Sequence, residues 1–92
     1  MTIAEIQHLV CAEYGTSLIE LLSQRRNRAA VESRWVAIWL ARHCTAHTLV
    51  TIGRAFGNRD HTTIMHALAG VEARRMSDAT FAIRTNRLRL AA

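Results

Sequence analysis

Apolar positions recur every three or four residues along the chain, and nowhere alternate with the period of two that marks a half-buried strand. Ile3, Ile6, Val10 and Tyr14 share one face of a helix over residues 3–14, with Gly15 suited to end it in the left-handed region. Ser17 and Glu20 have capping-box spacing and open a short helical turn carrying Leu18, Leu21 and Leu22 inward. The polar segment 24–28 lacks apolar periodicity and reads as a loop. A second long helix is predicted from about Val31 to Cys44, burying Val36, Ala37, Leu40 and Cys44. Thr48 caps a short helix with Leu49, Ile52 and Phe56 on one side, and Gly57 ends it. Asn58 and Arg59 make a turn, and Asp60 is a strong N-cap for a helix over about 61–75 striped by Ile64, Leu68 and Val71. Ser77 and Asp78 interrupt it, and a last helix over about 80–90 sets Phe81, Arg84 and Leu88 on one side. With no proline and four glycines among 92 residues, strand punctuation is scarce. The pattern predicts one all-α domain, a small helical bundle.

Charge adds a direction to this picture. The basic residues are twelve arginines without a lysine, against seven acids, for a net charge of +5. Residues 1–24 hold three glutamates and no arginine, whereas residues 25–59 hold seven arginines against Glu32 alone. A central basic block points to a polyanion partner. The apolar run Val36–Ala41 is far short of the roughly 20 residues of a membrane helix, so no membrane partner is expected. The first residues have no basic stretch of the kind that opens a signal peptide. Cys11 and Cys44 are isolated thiols, which fits a reducing cytoplasm. No phosphate-binding loop or nucleophile elbow is present, so neither an enzyme nor a cofactor is expected. His43, Cys44 and His47 are too few, and straddle a helix end, so no metal site is expected either.

A short helix, a glycine-containing turn and a capped longer helix form a helix-turn-helix. Its second helix starts with Asp60, His61, Thr62 and Thr63, short polar side chains able to hydrogen-bond base edges in a major groove.

The run Ile52-Gly-Arg-Ala-Phe-Gly-Asn-Arg-Asp-His-Thr-Thr-Ile-Met-His-Ala67 resembles the signature of the C-terminal DNA-binding domain of the bacterial replication initiator DnaA. The similarity extends to Ala12-Glu-Tyr14, to Leu21-Leu-Ser-Gln-Arg-Arg-Asn-Arg28 and to residues 36–45, and weakens after about Met76. The resemblance implies a TrpR-like helix-turn-helix bundle that binds double-stranded DNA at DnaA-box-like sites, as a monomer on asymmetric boxes. It implies that Arg26 enters the minor groove and reads A·T-rich sequence there. Asp60, His61 and Thr62 would read bases in the major groove, Leu49 and Val50 would touch thymine methyls, and Arg42 would lie near a guanine. Arg28, Arg34, Thr45, Arg59 and Thr63 would lie near phosphates.

Several positions depart from the family pattern. Glu32-Ser33 stands where Arg-Pro is usual, which sets a repulsive charge near DNA and loosens the start of the second long helix. Asn58 stands where glycine is usual. Trp35, in place of Gln or Glu, forms an i, i+4 pair with Trp39 that offers a protein interface as an alternative to ordinary packing. No AAA+ ATPase region accompanies the domain, so the expectation is a stand-alone protein that modulates replication initiation or transcription. The alternative is an interaction module that mimics the initiator's DNA-binding domain and engages DnaA or a DnaA-regulating AAA+ protein of the Hda type.

Overall fold

Asn27 starts the central helix earlier than the apolar pattern suggests. In the computed structural model, which describes residues 1–92, the Asn27 side chain accepts a 2.9 Å hydrogen bond from the Ala30 backbone N–H. The resulting helix α3, Arg28–Cys44, therefore includes the end of the segment expected to be loop. Ser33, where the family usually has proline, is buried, and its hydroxyl donates to the Ala30 carbonyl at 3.1 Å. Without a proline, this start is held by an asparagine cap and a hydroxyl bond.

Around α3 the other elements are α1 (Ile3–Tyr14), α2 (Leu18–Leu22), α4 (Leu49–Ala55), α5 (His61–Ser77) and α6 (Ala79–Ala91), with no strand. All five pack on α3, which explains why residues 36–41 are buried without a polar face. Capping boxes open α1 at Thr2 and Glu5 and α2 at Ser17 and Glu20. Asp78 serves twice, closing α5 with its backbone N–H and opening α6 with its carboxylate, so no linker separates them. The α5 stripe is Ile64, Ala67 and Val71, with Leu68 half-buried at its edge. On α6 the buried face is Phe81, Thr85 and Leu88, while Arg84 leans over the Tyr14 ring at 3.9 Å.

One of the two tryptophans expected at an interface is corrected. Trp39 is 1% exposed, and its indole N–H donates to Glu72 at 2.5 Å, so it belongs to the core and offers no surface to a partner. Burying it on the central helix is worth about 3–5 kcal/mol against alanine. Trp35 is half-buried and lies directly on Gly70 of α5, where a Cβ would collide with the indole ring.

Glu32 is corrected too. Its carboxylate meets Arg74 of α5 at 2.5 Å and Arg84 of α6 at 3.9 Å, which ties three helices together. The charge at that position is neutralised within the protein. The same side of the molecule holds Glu13, which accepts from Arg84 and Arg87, each at 2.8 Å. Those two guanidinium partners hold the Glu13 carboxyl below the usual carboxylate range. The nearby Tyr14 hydroxyl is buried without a partner, and burial, reinforced by Glu32, pushes its pKa up to about 12.

Candidate nucleic-acid interface

The α4–turn–α5 unit is shaped by close backbone approach. Gly53 lies under the turn, where its carbonyl accepts from the Arg59 N–H at 2.9 Å and a Cβ would strike the Arg59 carbonyl. Gly57 (φ 77°) and Asn58 (φ 57°) then take the left-handed conformation that reverses the chain. Gln7 of α1, buried although polar, donates to the Ala55 carbonyl at 2.9 Å and secures the end of α4. A lone glutamine on an apolar face carries no sequence signal for this role.

The turn delivers Asp60 to the start of α5. Its carboxylate accepts from the Thr63 N–H at 2.9 Å. That backbone bond, with a contribution from the Thr63 side chain, lowers its pKa, so at neutral pH Asp60 is an ionised acceptor. Asp60, His61, Thr62 and Thr63 are all exposed. Val50 is 49% exposed on α4, whereas Leu49 is half-buried against the core. Arg26 is exposed in the loop before α3, Arg28 is exposed in the first turn of α3, and Arg42 is exposed near its end.

The structure joins the loop to α5 through one cleft of ≈ 320 Å³, lined by Arg26, Arg34, Trp35, Arg59 and Thr63 among others. Residues distant in sequence thus meet in one cleft, where arginines stand beside an apolar floor of Val31, Trp35, Ile38 and Ala67. A second opening of ≈ 280 Å³ lies between α4 and the start of α5, bordered by Val50, Arg54, Asn58, Asp60 and His61.

Two arginines expected at phosphates do different work. Arg34 is 5% exposed, and its guanidinium donates to the carbonyls of Leu21 (2.8 Å), Glu20 (3.2 Å) and Arg25 (3.0 Å). These are the end of α2 and the basic loop, so Arg34 braces the loop instead of reaching outward. Arg59 is half-buried and donates to the carbonyls of Ser23 (2.6 Å) and Phe56, which links the turn to the same loop. Burial lowers both pKa values, with the Arg59 charge adding to the effect at Arg34. Thr45 is half-buried, and its hydroxyl donates to the Ala41 carbonyl at 2.6 Å, which ends α3. Arg28 and Thr63 remain exposed.

Residues 3–71 match the family described as the bacterial dnaA protein helix-turn-helix. This chain belongs to that family. It is 47% identical over 78 residues to the chromosomal replication initiator protein DnaA of Caulobacter sp. (strain K31), covering 85% of this chain and 16% of the relative. The DnaA of Gluconobacter oxydans (strain 621H) is 45% identical over 82 residues, covering 89% of this chain and 17% of the relative. A crystal structure of a DNA replication initiation factor superposes with a TM-score of 0.88 at 30% identity, over 97% of this chain and 27% of that one. The chain thus spans about a sixth of the length of these curated relatives. It is a DNA-binding helix-turn-helix domain of the DnaA type, built from helices alone. No helix is long and apolar enough to cross a membrane.

Proposed function

We propose that this chain reads double-stranded DNA at DnaA-box-like sites as a single 1–92 domain, and so modulates replication initiation or transcription. The observation that carries the reading is the junction of an exposed, capped α5 start, residues 60–63, with the unpaired Arg26 loop across one cleft. The loop would enter a minor groove while α5 lies in the neighbouring major groove. Asp60, His61 and Thr62 are the base readers, assisted by Val50 and the edge of Leu49, with Arg42 over a guanine. Arg28 and Thr63 take phosphates. Arg34 and Arg59 act on affinity by holding the loop in place, and Thr45 sets the end of α3 beside them.

The test is titration of a DnaA-box duplex and a scrambled duplex at two salt concentrations. Binding is specific, and about four ionic contacts give a log–log salt slope of about −3 to −4. His61→Ala or Thr62→Ala costs about 1–3 kcal/mol on the box and far less on the scrambled duplex. Equal affinity of the wild type for both duplexes would sink the reading.

One observation favours a second reading, docking on a DnaA-regulating AAA+ protein. The half-buried Trp35 ring borders both the loop cleft and a neighbouring groove of ≈ 300 Å³ that Phe81 and Gly70 also line. Tryptophan is enriched among interface anchors. A pull-down with Trp35→Gln beside Thr62→Ala separates the two readings: a partner lost only with Trp35→Gln, while the variant stays folded and binds DNA, selects the second.

A further inference from the structure

Arg54 follows Val50 by four residues on α4, so the two lie on one helix face with Cβ atoms about 5–6 Å apart. Both are exposed, and both border the cleft that Asn58, Asp60 and His61 close from the other side. The ion pairs of the chain gather on α1, α3, α5 and α6, and none involves Arg54. Arg59, the other arginine at this cleft, is committed to the Ser23 and Phe56 carbonyls. Of two guanidinium groups beside the start of α5, one is a brace and one has no partner. Asn58 adds an amide at a left-handed position (φ 57°) that a glycine would leave bare.

We propose that Arg54 is a base-reading residue, whose guanidinium donates to O6 and N7 of a guanine in the major groove beside the bases under Asp60 and His61. The inference deepens the DNA reading above and rests on it. Its support is complementarity within one cleft. On its major-groove edge a G·C pair presents a cytosine amino donor beside two guanine acceptors. Asp60, ionised and acceptor-only, suits the first, and Arg54, donor-only with a planar fork, suits the second. The placement matters as much as the charge. Arg54 borders the same opening as Val50, Asp60 and His61, so it shares the cleft with the residues that read bases. Asn58 borders the same opening and can hold the guanidinium or an adjacent base through its amide oxygen.

The experiment titrates a DnaA-box duplex, every single-base-pair variant of it and a scrambled duplex with wild type, Arg54→Ala, Arg54→Lys and His61→Ala. Circular dichroism checks that each variant is folded. Arg54→Ala loses about ten-fold on the box and at most about two-fold on the scrambled duplex, and discrimination disappears at one G·C position only. Arg54→Lys keeps the charge but not the fork, so it restores scrambled-duplex affinity without restoring that discrimination. Equal loss on every duplex makes Arg54 a phosphate contact and overturns the proposal, as does no loss at all. If the Arg54 variants behave as wild type while His61→Ala still weakens the box, this inference alone fails. If wild type does not separate box from scrambled DNA, the reading of the whole site fails with it.

Discussion

Two regions of this small bundle treat the same side chain in opposite ways. Around the 24–28 loop, along α4 and near the end of α3, Arg25, Arg26, Arg28, Arg42 and Arg54 are exposed and outside every ion pair. Where α6 closes on α1, α3 and α5, Arg74, Arg84 and Arg87 meet Glu13, Glu32 and Asp78. There Arg75 also donates to Thr85 and Asn86. Arginine in the second region is an internal fastener, and the charges of Arg74, Arg84 and Arg87 are cancelled at close range. The first region keeps its charge for a partner. The net charge of +5 is therefore weighted toward one surface. Arg34 and Arg59 stand between the two regimes, since they donate to carbonyls at the end of α2, in the loop and in the turn.

The sharpest way to break this comparison is Arg34→Ala. Three carbonyls lose a charged donor, so the expected cost is about 2–3 kcal/mol of stability, measured by urea unfolding. DNA affinity falls on every duplex alike, because the loop carrying Arg26 loses its brace. A variant of unchanged stability that merely binds DNA more weakly would return Arg34 to the phosphate group of residues.

Next in size is Glu32→Ala. Arg74 keeps Asp78 at 3.5 Å and Arg84 keeps Glu13, and the pair is partly open to solvent, so the loss is about 1 kcal/mol. In a domain of this size that lowers Tm by about 4–8 °C. Box affinity stays the same; a marked gain in affinity would mean that Glu32 does repel DNA after all.

Removing one charge from each region sharpens the contrast further. Arg28→Ala reduces the salt slope of DNA binding by about one. Arg87→Ala deletes the same formal charge and leaves the slope unchanged, although it releases a contact to Glu13.

The smallest effect expected is acid sensitivity at Glu13. Its carboxyl is lowered by Arg87 and Arg84, so the folded chain takes up that proton less readily than the unfolded one. The stabilisation is full above the ordinary carboxylate pKa of about 4.3 and is lost as pH falls through the lowered folded value. Glu13→Gln flattens that part of an acid-unfolding curve and leaves box binding at pH 7 intact. An unaltered curve would remove Glu13 from the network that secures α6.

Most of the helical order was legible in the sequence, because caps and apolar spacing act over three or four residues. Gly15, Ser17, Thr48, Asp60 and Gly57 mark ends by local hydrogen bonding or backbone freedom, and all occur where the pattern placed them. The early start of α3 was not legible, since a basic first turn carries no apolar stripe and only Asn27 announces it. The exposure of residues 60–63 followed from the helix-turn-helix arrangement itself, whereas nothing in the spacing of Arg54 separates it from the other arginines.

By itself, then, the sequence determined the helices, the turn that presents Asp60 and the location of uncompensated positive charge between residues 25 and 59. Which arginine faces outward was left to the tertiary structure. Arg26 and Arg34 are chemically identical and eight positions apart, yet one is exposed and the other is 5% exposed against three carbonyls. Trp35 and Trp39 divide in the same way, at a groove and in the core. The physical reason is reach. A long polar side chain goes to whichever unsatisfied backbone or opposite charge packing brings near, and those partners, such as Leu21 for Arg34 or Glu13 for Arg84, lie far away in sequence.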